Sequence, residues 1–301
     1  MTVDPDNAKA ARTLAAALEP FAAQVYFSPE CHSAYETLGF GPSPGKSGQV
    51  CLPDGPAYFC SRGSLLGQVP GEVVAAAFGV FNPEVVIPSV RRGWELTDAA
   101  TIESARTDGA LAQLRRILGD EPDGVARAAE LLARAGEGLR PEGRPLYAGL
   151  LARDVPEDPL GAAWRLADRL REYRGDSHIA AWTTAGFDAT EIGLVTEPYW
   201  GLPMRTYIRT RGWSSEQLDA AEERLVARGL IEGSALTDEG RSEREAIEAA
   251  TDRACRRIVD NLGPELDELV SILFGWSRSI QEAGGYPPTG PHDLARLSGG
   301  R

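Results

Sequence analysis

Residues 203–249 restrict the fold more than any other stretch of the 301-residue chain. Pro203 suits a first helical position, Met204, Tyr207 and Ile208 share an apolar face, and Gly212 is placed to stop a helix. A tight turn follows. Ser214 and Gln217 have the spacing of a capping box, after which Leu218, Ala221 and Leu225 recur at helical intervals until Gly229. Residues 230–236 are long enough only for a small hairpin. Thr237 then caps a long helix with Ile247, Ala250, Ala254 and Ile258 on one face.

Helix, turn, helix, hairpin, helix is the order of a winged helix-turn-helix, in which residues 214–229 form the helix that would read DNA. Its charge argues against that job. Glu216, Asp219, Glu222 and Glu223 stand against only Arg224 and Arg228, and the hairpin tip Gly233-Ser234-Ala235 has no cation. Carboxylates held against phosphates repel, and the reading helix must approach both phosphates and base edges. Arg205 and Arg209 share a face of the predicted preceding helix, with Arg211 close by. Pairing with neighbouring acids is the favoured role for them, contact with a DNA backbone the other. A net charge of -13 gives the whole molecule the same bias against nucleic acid and anionic membrane.

With 43% hydrophobic residues the chain can bury one large core or two ordinary ones. Two are expected: an N-terminal helical domain over 1–140, a winged-helix domain with C-terminal helices over 141–283, and a disordered tail over 284–301. The boundary falls in the polar run 136–145 (GEGLRPEGRP). The expected fold class is mainly α with a very short β wing. No apolar run approaches the roughly 18–20 residues that span a bilayer. The first residues lack the basic start and apolar core of a secretory signal, so a cytoplasmic protein is expected.

Periodicity predicts helices over 8–27 (Leu14, Leu18, Phe21, Val25), from Pro29 to Gly39, over 71–81 and 84–90 with breaks at Pro83 and Pro88, and from Thr97 or Asp98 to Leu118. Others run through Val125 and Leu132, from Asp158-Pro159 to Gly175, through Ile179 and Trp182, and from the Asp188/Glu191 capping box to Pro198. Residues 264–283 form an amphipathic helix. Residues 57–61 (AYFCS) are a strand or a helix, and the Gly-, Pro- and Ser-rich 40–56 is a long loop.

Gly45-Lys46-Ser47 is not a phosphate-binding loop, because the pattern needs glycine where Phe40 stands. Cys31, Cys51, Cys60, Cys255 and His32 lack the close pairing of zinc ligands, so no metal is expected, and no motif specifies a cofactor. Aromatic residues and arginines gather in residues 197–203 and in Tyr58-Phe59 with Arg62, bracketed by Pro and Gly. Such bends line a pocket or fill a core, and both readings stand.

The run RGWSSEQLDAAEERLVARGLIEGSALTDEGR resembles the winged helix-turn-helix of MarR-like regulators, with LTDEGR at 236–241 similar to the end of their wing. Over nearly its full length the chain also resembles a largely uncharacterised actinobacterial helix-turn-helix family, on Tyr26-Phe27-Ser28-Pro29-Glu30 and residues 58–67, 72–83 and 197–213. The resemblance implies the frame and no catalytic motif. The acidic reading helix, uncharged wing and large N-terminal helical half depart from MarR-like proteins.

The expectation is therefore a small-molecule-binding protein on a winged-helix scaffold, extending to an enzyme of specialised metabolism. Its pocket lies between the halves, lined by Tyr58, Arg62, Tyr199, Trp200, Arg205 and Tyr207, with Arg62 or Arg205 orienting an anionic or carbonyl group. Glu30 or Glu197 is the acid–base group if there is a reaction. The alternative is a ligand-responsive DNA-binding regulator, a homodimer through its terminal helices, with Arg205, Arg209 and Arg211 on phosphates. A third reading is a partner-binding module using the apolar face of 264–283, provided that face is exposed.

Overall fold

Side-chain caps set most of the helix starts. Ser28, Asp54, Asn82, Asp98, Asp158, Asp188, Ser214 and Thr237 each turn an oxygen back to a backbone N–H of the helix they open. A computed structural model describes residues 5–48 and 50–287. The helices are α1 (Pro5–Ala23), α2 (Pro29–Thr37), α3 (Gly55–Gly63), α4 (Gly71–Phe78), α5 (Pro83–Trp94), α6 (Ala99–Leu118) and α7 (Val125–Ala135). They continue with α8 (Pro145–Leu151), α9 (Pro159–Thr184), α10 (Ala189–Tyr199), α11 (Ser215–Ala227), α12 (Asp238–Leu262) and α13 (Leu266–Glu282). Two antiparallel hairpins complete the fold. One pairs β1 (Lys46–Ser47) with β2 (Val50–Cys51); the other, the wing, pairs β3 (Ile231–Glu232) with β4 (Ala235–Leu236). The fold is mainly α, as the periodicity implies.

Burial does not break at residue 140. The largest core cluster runs from Leu14 to Tyr286 and draws on α1, α6, α7, α9, α12 and α13 together. α1 lies against α9, α12 and α13, where Arg12 Nε donates to Asp252 at 2.7 Å and Ser277 Oγ to the Ala17 carbonyl at 2.8 Å. The helix-turn-helix has its own cluster around Ile192, Val195, Ile208, Leu218, Leu225, Ile231 and Ile247. A third, with Phe59, Phe78, Phe81, Val86 and Leu146, joins α3, α4, α5 and α8.

Several elements differ from their sequence reading, each for a local reason. Residues 57–61 are helical because Asp54 caps α3 through the Ala57 N–H. α9 passes Gly175 and continues to Thr184 as one helix of 26 residues. A mid-helix glycine costs only about 1 kcal/mol relative to alanine, less than the burial on either side supplies. α5 likewise carries Pro88 within its span, held by the Asn82 cap and the buried Val86 and Val90. The apolar face of α13 is covered by α1, with Phe21 and Trp276 ring centroids 5.1 Å apart, so it is no docking face. The expected tail begins too early. Tyr286 is fully buried, edge-on to Phe27 at 5.4 Å, and its hydroxyl donates to Glu19 at 3.3 Å. The remainder of that tail, 288–301, lies outside the described residues.

The largest correction concerns residues 203–212, which form no α-helix. Only Ile208–Arg211 make a single 3-10 turn. The buried Glu197 carboxylate at the end of α10 takes the N–H groups of Arg205 (2.6 Å), Tyr207 (2.5 Å) and Ile208 (2.8 Å), folding the segment around itself. Arg205 accordingly stands at φ +63°, outside helical space.

The wing is pinned to α12 by an absent side chain. A Cβ on Gly240 would lie 1.9 Å from the Leu230 carbonyl oxygen, a backbone atom that cannot yield. Gly240→Ala is expected to destabilise the protein by about 1–3 kcal/mol in urea unfolding. An unchanged midpoint would refute that contact.

Candidate functional site

The sequence LREYRGDSH, residues 170–178, interrupts the apolar face of α9 with charges and a glycine. Leu170, Arg171, Arg174, Gly175 and His178 fall on one side of the helix, four- and three-residue steps apart. Opposite them α12 presents Cys255, Ile258 and Val259, and α1 presents Leu14, Ala15, Leu18 and Glu19. Together with Arg62 of α3 they enclose a chamber of about 180 Å³. A second chamber of about 200 Å³ adjoins it, sharing Arg174 and His178, and lies under the helix-turn-helix. Its walls are Val80, Ile192, Gly193, Thr196, Trp200, Tyr207, Ile208, Arg211, Arg244 and Glu248. Gly193 lets the 3-10 turn come close, since a Cβ there would sit 2.0 Å from the buried Ile208 Cδ1.

Among the charged lining residues arginine prevails, five against three glutamates. Most of that charge is paired inside the protein. Glu172, fully buried, takes Arg62 Nε at 2.9 Å and Nη2 at 2.7 Å, and Arg171 Nη1 at 2.8 Å. Burial would raise its pKa, but Arg62 and Arg171 override this and hold it down to about 2. Glu248 bonds Arg174 and accepts from Arg244 Nη1 at 2.8 Å, and these two arginines likewise keep it ionised. His178 is pushed down to about 3 by burial and by Arg244, so it is neutral, with Nδ1 3.0 Å from the Thr251 hydroxyl.

Arg211 is the exception. Among the described residues its half-buried guanidinium makes no hydrogen bond and no ion pair, and its enclosed Nε is left without a partner. It lies over the Phe81 ring, 4.6 Å from the centroid, and over Tyr207 at 4.2 Å. Burial lowers its pKa to about 10, with Arg62 and Arg171 adding repulsion, and it stays protonated at neutral pH. Its backbone carbonyl accepts the Asn82 N–H at 2.9 Å. The Asn82 amide also donates to Gly212 O at 3.0 Å and to Gln217 at 3.2 Å, joining this turn to the start of α11.

On the outer surface, α11 exposes Glu216, Asp219 and Glu223 in one stripe, ending at Val226. Its arginines are exposed but ion-paired. Arg224 pairs with Asp188 and Glu191 at 2.5 and 2.9 Å, and Arg228 with Glu191 and Glu243 at 3.1 and 3.3 Å. A family model for a helix-turn-helix family matches residues 11–287. The chain belongs to that helix-turn-helix family. The family match takes in both the module around α11 and the N-terminal helices that wall the cavity. No curated protein and no solved structure matches the chain. Among the described residues no helix is long and apolar enough to cross a membrane, and no cluster of three or more His, Cys, Asp or Glu could hold a metal.

The residues singled out from sequence scatter over this family scaffold. Arg62 lines the first chamber, Trp200 and Tyr207 the second. The Tyr58 hydroxyl accepts from Arg62 at 3.4 Å beside the first chamber. Tyr199 lies beneath the Arg244 guanidinium, 4.7 Å away, with its hydroxyl on Glu245. Arg205 is outside the cavity, bound to Asp219 at 2.6 Å and Glu222 at 2.5 Å on α11, because the turn around Glu197 aims it there. Glu197 itself is occupied by three backbone N–H groups and lines neither chamber. Glu30 sits in the first turn of α2, where burial is overridden by Arg116 and its pKa is lowered. It is remote from both chambers. The arginines of α9 and α12 escaped notice; their signal is charge recurring at the spacing of a buried face, as in Arg244, Glu248 and Asp252.

Asp176, one position past the cavity wall, caps α8 from outside by accepting the Tyr147 N–H at 2.9 Å. Burial raises its pKa to about 7. The folded protein thus holds a proton between about pH 4 and 7 that the unfolded chain has released, so this contribution to stability falls as pH rises through that window and is flat above it. Asp176→Asn is expected to remove the slope, with a gain on the order of a few kcal/mol at pH 8. Urea midpoints at pH 5 and pH 8 for both proteins check it.

Proposed function

We propose that this protein binds a small organic molecule in the two adjoining chambers and uses a MarR-like winged helix as frame for that site. The observation that carries the reading is the arginine-lined cavity walled by α1, α9, α12 and the 208–211 turn. Taken together, the volumes of the two chambers reach the size range at which sites for small molecules begin. The exposed carboxylates of α11 and the pairing of Arg224 and Arg228 with neighbouring acids support the same reading, since that face repels phosphate.

A DNA-binding, ligand-responsive regulator is the second reading, favoured by membership of a helix-turn-helix family. A homodimer through the apolar face of α13 has no part in it, because α1 covers that face. Fluorescence anisotropy with random duplex and with duplex from the protein's own locus, at low and physiological salt, separates the two. Under the first reading neither duplex binds, while native mass spectrometry finds a small molecule carried by the protein. Sequence-selective, salt-sensitive binding would replace it with the regulator.

A further inference from the structure

We infer that the occupant of the cavity is a monoanionic carboxylate with an apolar body, whose acid group docks on Arg211 beside Phe81 and Tyr207. This rests on the ligand-binding reading and names the class of molecule. Three arginines and one glutamate line the second chamber. Glu248 serves Arg174 and Arg244, and Asp252 takes a further bond from Arg174 at 3.3 Å. Arg211 remains as the one guanidinium of that wall with neither hydrogen bond nor ion pair among the described residues. A single unmatched positive charge fits one negative charge. A phosphate dianion would leave a second charge facing Glu248 with no cation of its own.

The remaining walls specify the rest of the molecule. Val80, Ile192, Trp200, Tyr207 and Ile208 surround Arg211 with apolar surface. On the other side of Arg174 and neutral His178, the first chamber presents the aliphatic faces of α1 and α12. A planar carboxylate suits the planar guanidinium, which offers two parallel donors while its faces stay against the two rings. The body of the acid then extends along the apolar walls.

The same geometry makes the site a cost to the fold. A half-buried guanidinium whose enclosed Nε has no partner disfavours folding until an anion joins it, so a neutral replacement of similar length should stabilise the protein while removing its ligand site. Arg211→Met supplies that replacement. Arg211→Lys keeps the charge and loses the planar donors.

Isothermal titration and thermal melts with 4-phenylbutyrate, octanoate, the corresponding amides and inorganic phosphate test the inference on the full chain. For the wild type, the acids should bind at least tenfold more tightly than the amides and raise the melting temperature, with phosphate inert. In Arg211→Met the acid preference should vanish and the melting temperature without any probe should rise by several degrees. In Arg211→Lys a weaker acid preference should persist. Amides binding as well as acids, or acids binding unchanged to Arg211→Met, would overturn the carboxylate assignment and leave ligand binding standing. Phosphate binding as well as the acids would reduce the site to a bare anion hole and overturn it too. No binding of any organic probe, with no small molecule found by native mass spectrometry, would overturn both readings.

Discussion

Glu172→Ala should lower stability by about 3–5 kcal/mol, the usual loss when one partner of a buried ion pair is removed. The residue is fully buried and accepts from Arg62 and Arg171 at once. Arg171 retains Glu19, at 2.9 Å, when Glu172 is gone. Among the described residues Arg62 keeps the Tyr58 hydroxyl and the Phe78 ring, 4.4 Å beneath it, and most of the loss arises there. Adding Arg62→Met to Glu172→Ala should therefore recover a large part of the stability, and a double-mutant cycle in urea measures how much. Acid gives the same information without mutation. The folded pKa is depressed below the unfolded value, so the Glu172 contribution is complete above the ordinary carboxylate range and disappears as pH falls toward about 2. A wild-type acid midpoint that Glu172→Gln does not shift would contradict this assignment.

Glu197→Ala should lower stability by about 3 kcal/mol or more, by a different route. Among the described residues no ion pair is involved; three backbone N–H groups lose the acceptor they share, and each such donor left unmade costs up to about 1–3 kcal/mol before water relieves it. The damage is local at first. Amide exchange at Arg205, Tyr207 and Ile208 should accelerate far more than exchange in α9 or α13. Because the same turn delivers Arg211 to the second chamber, binding of the carboxylate probes should fall with it. Glu197→Gln retains one acceptor oxygen and should lie between. Uniform loss of protection over the whole chain would mean that the carboxylate does not act as the local organiser of this loop.

The caps and the wing were legible in the sequence because their signals are local. Asp188 with Glu191 and Ser214 with Gln217 form capping boxes where the spacing places them, and Gly229 and Thr237 bound the short hairpin. The 203–212 helix failed because its competitor is a carboxylate eight to eleven residues away, which no window of periodicity contains. The cavity was half legible. Arg62 and Trp200 stand out as cationic and aromatic residues at bends and Tyr207 as an aromatic pocket candidate, whereas no sequence feature singles out Arg171, Arg174 and Arg244. Only the packing of α1 across α9 and α12 turns those faces inward, and that packing joins residues some 240 positions apart.

The long reach between α1 and α13 also governs how the chain is made. Ala17 receives its bond from Ser277, 260 residues later. At about 5–20 residues per second, the first helix leaves the ribosome on the order of ten seconds to a minute before its partner exists. Through that interval the part of its apolar face that α13 covers, with Phe21 against Trp276, lacks its partner. The cavity, walled by α1, α9 and α12, likewise has to wait for Cys255, Ile258 and Val259 before it can close around a ligand.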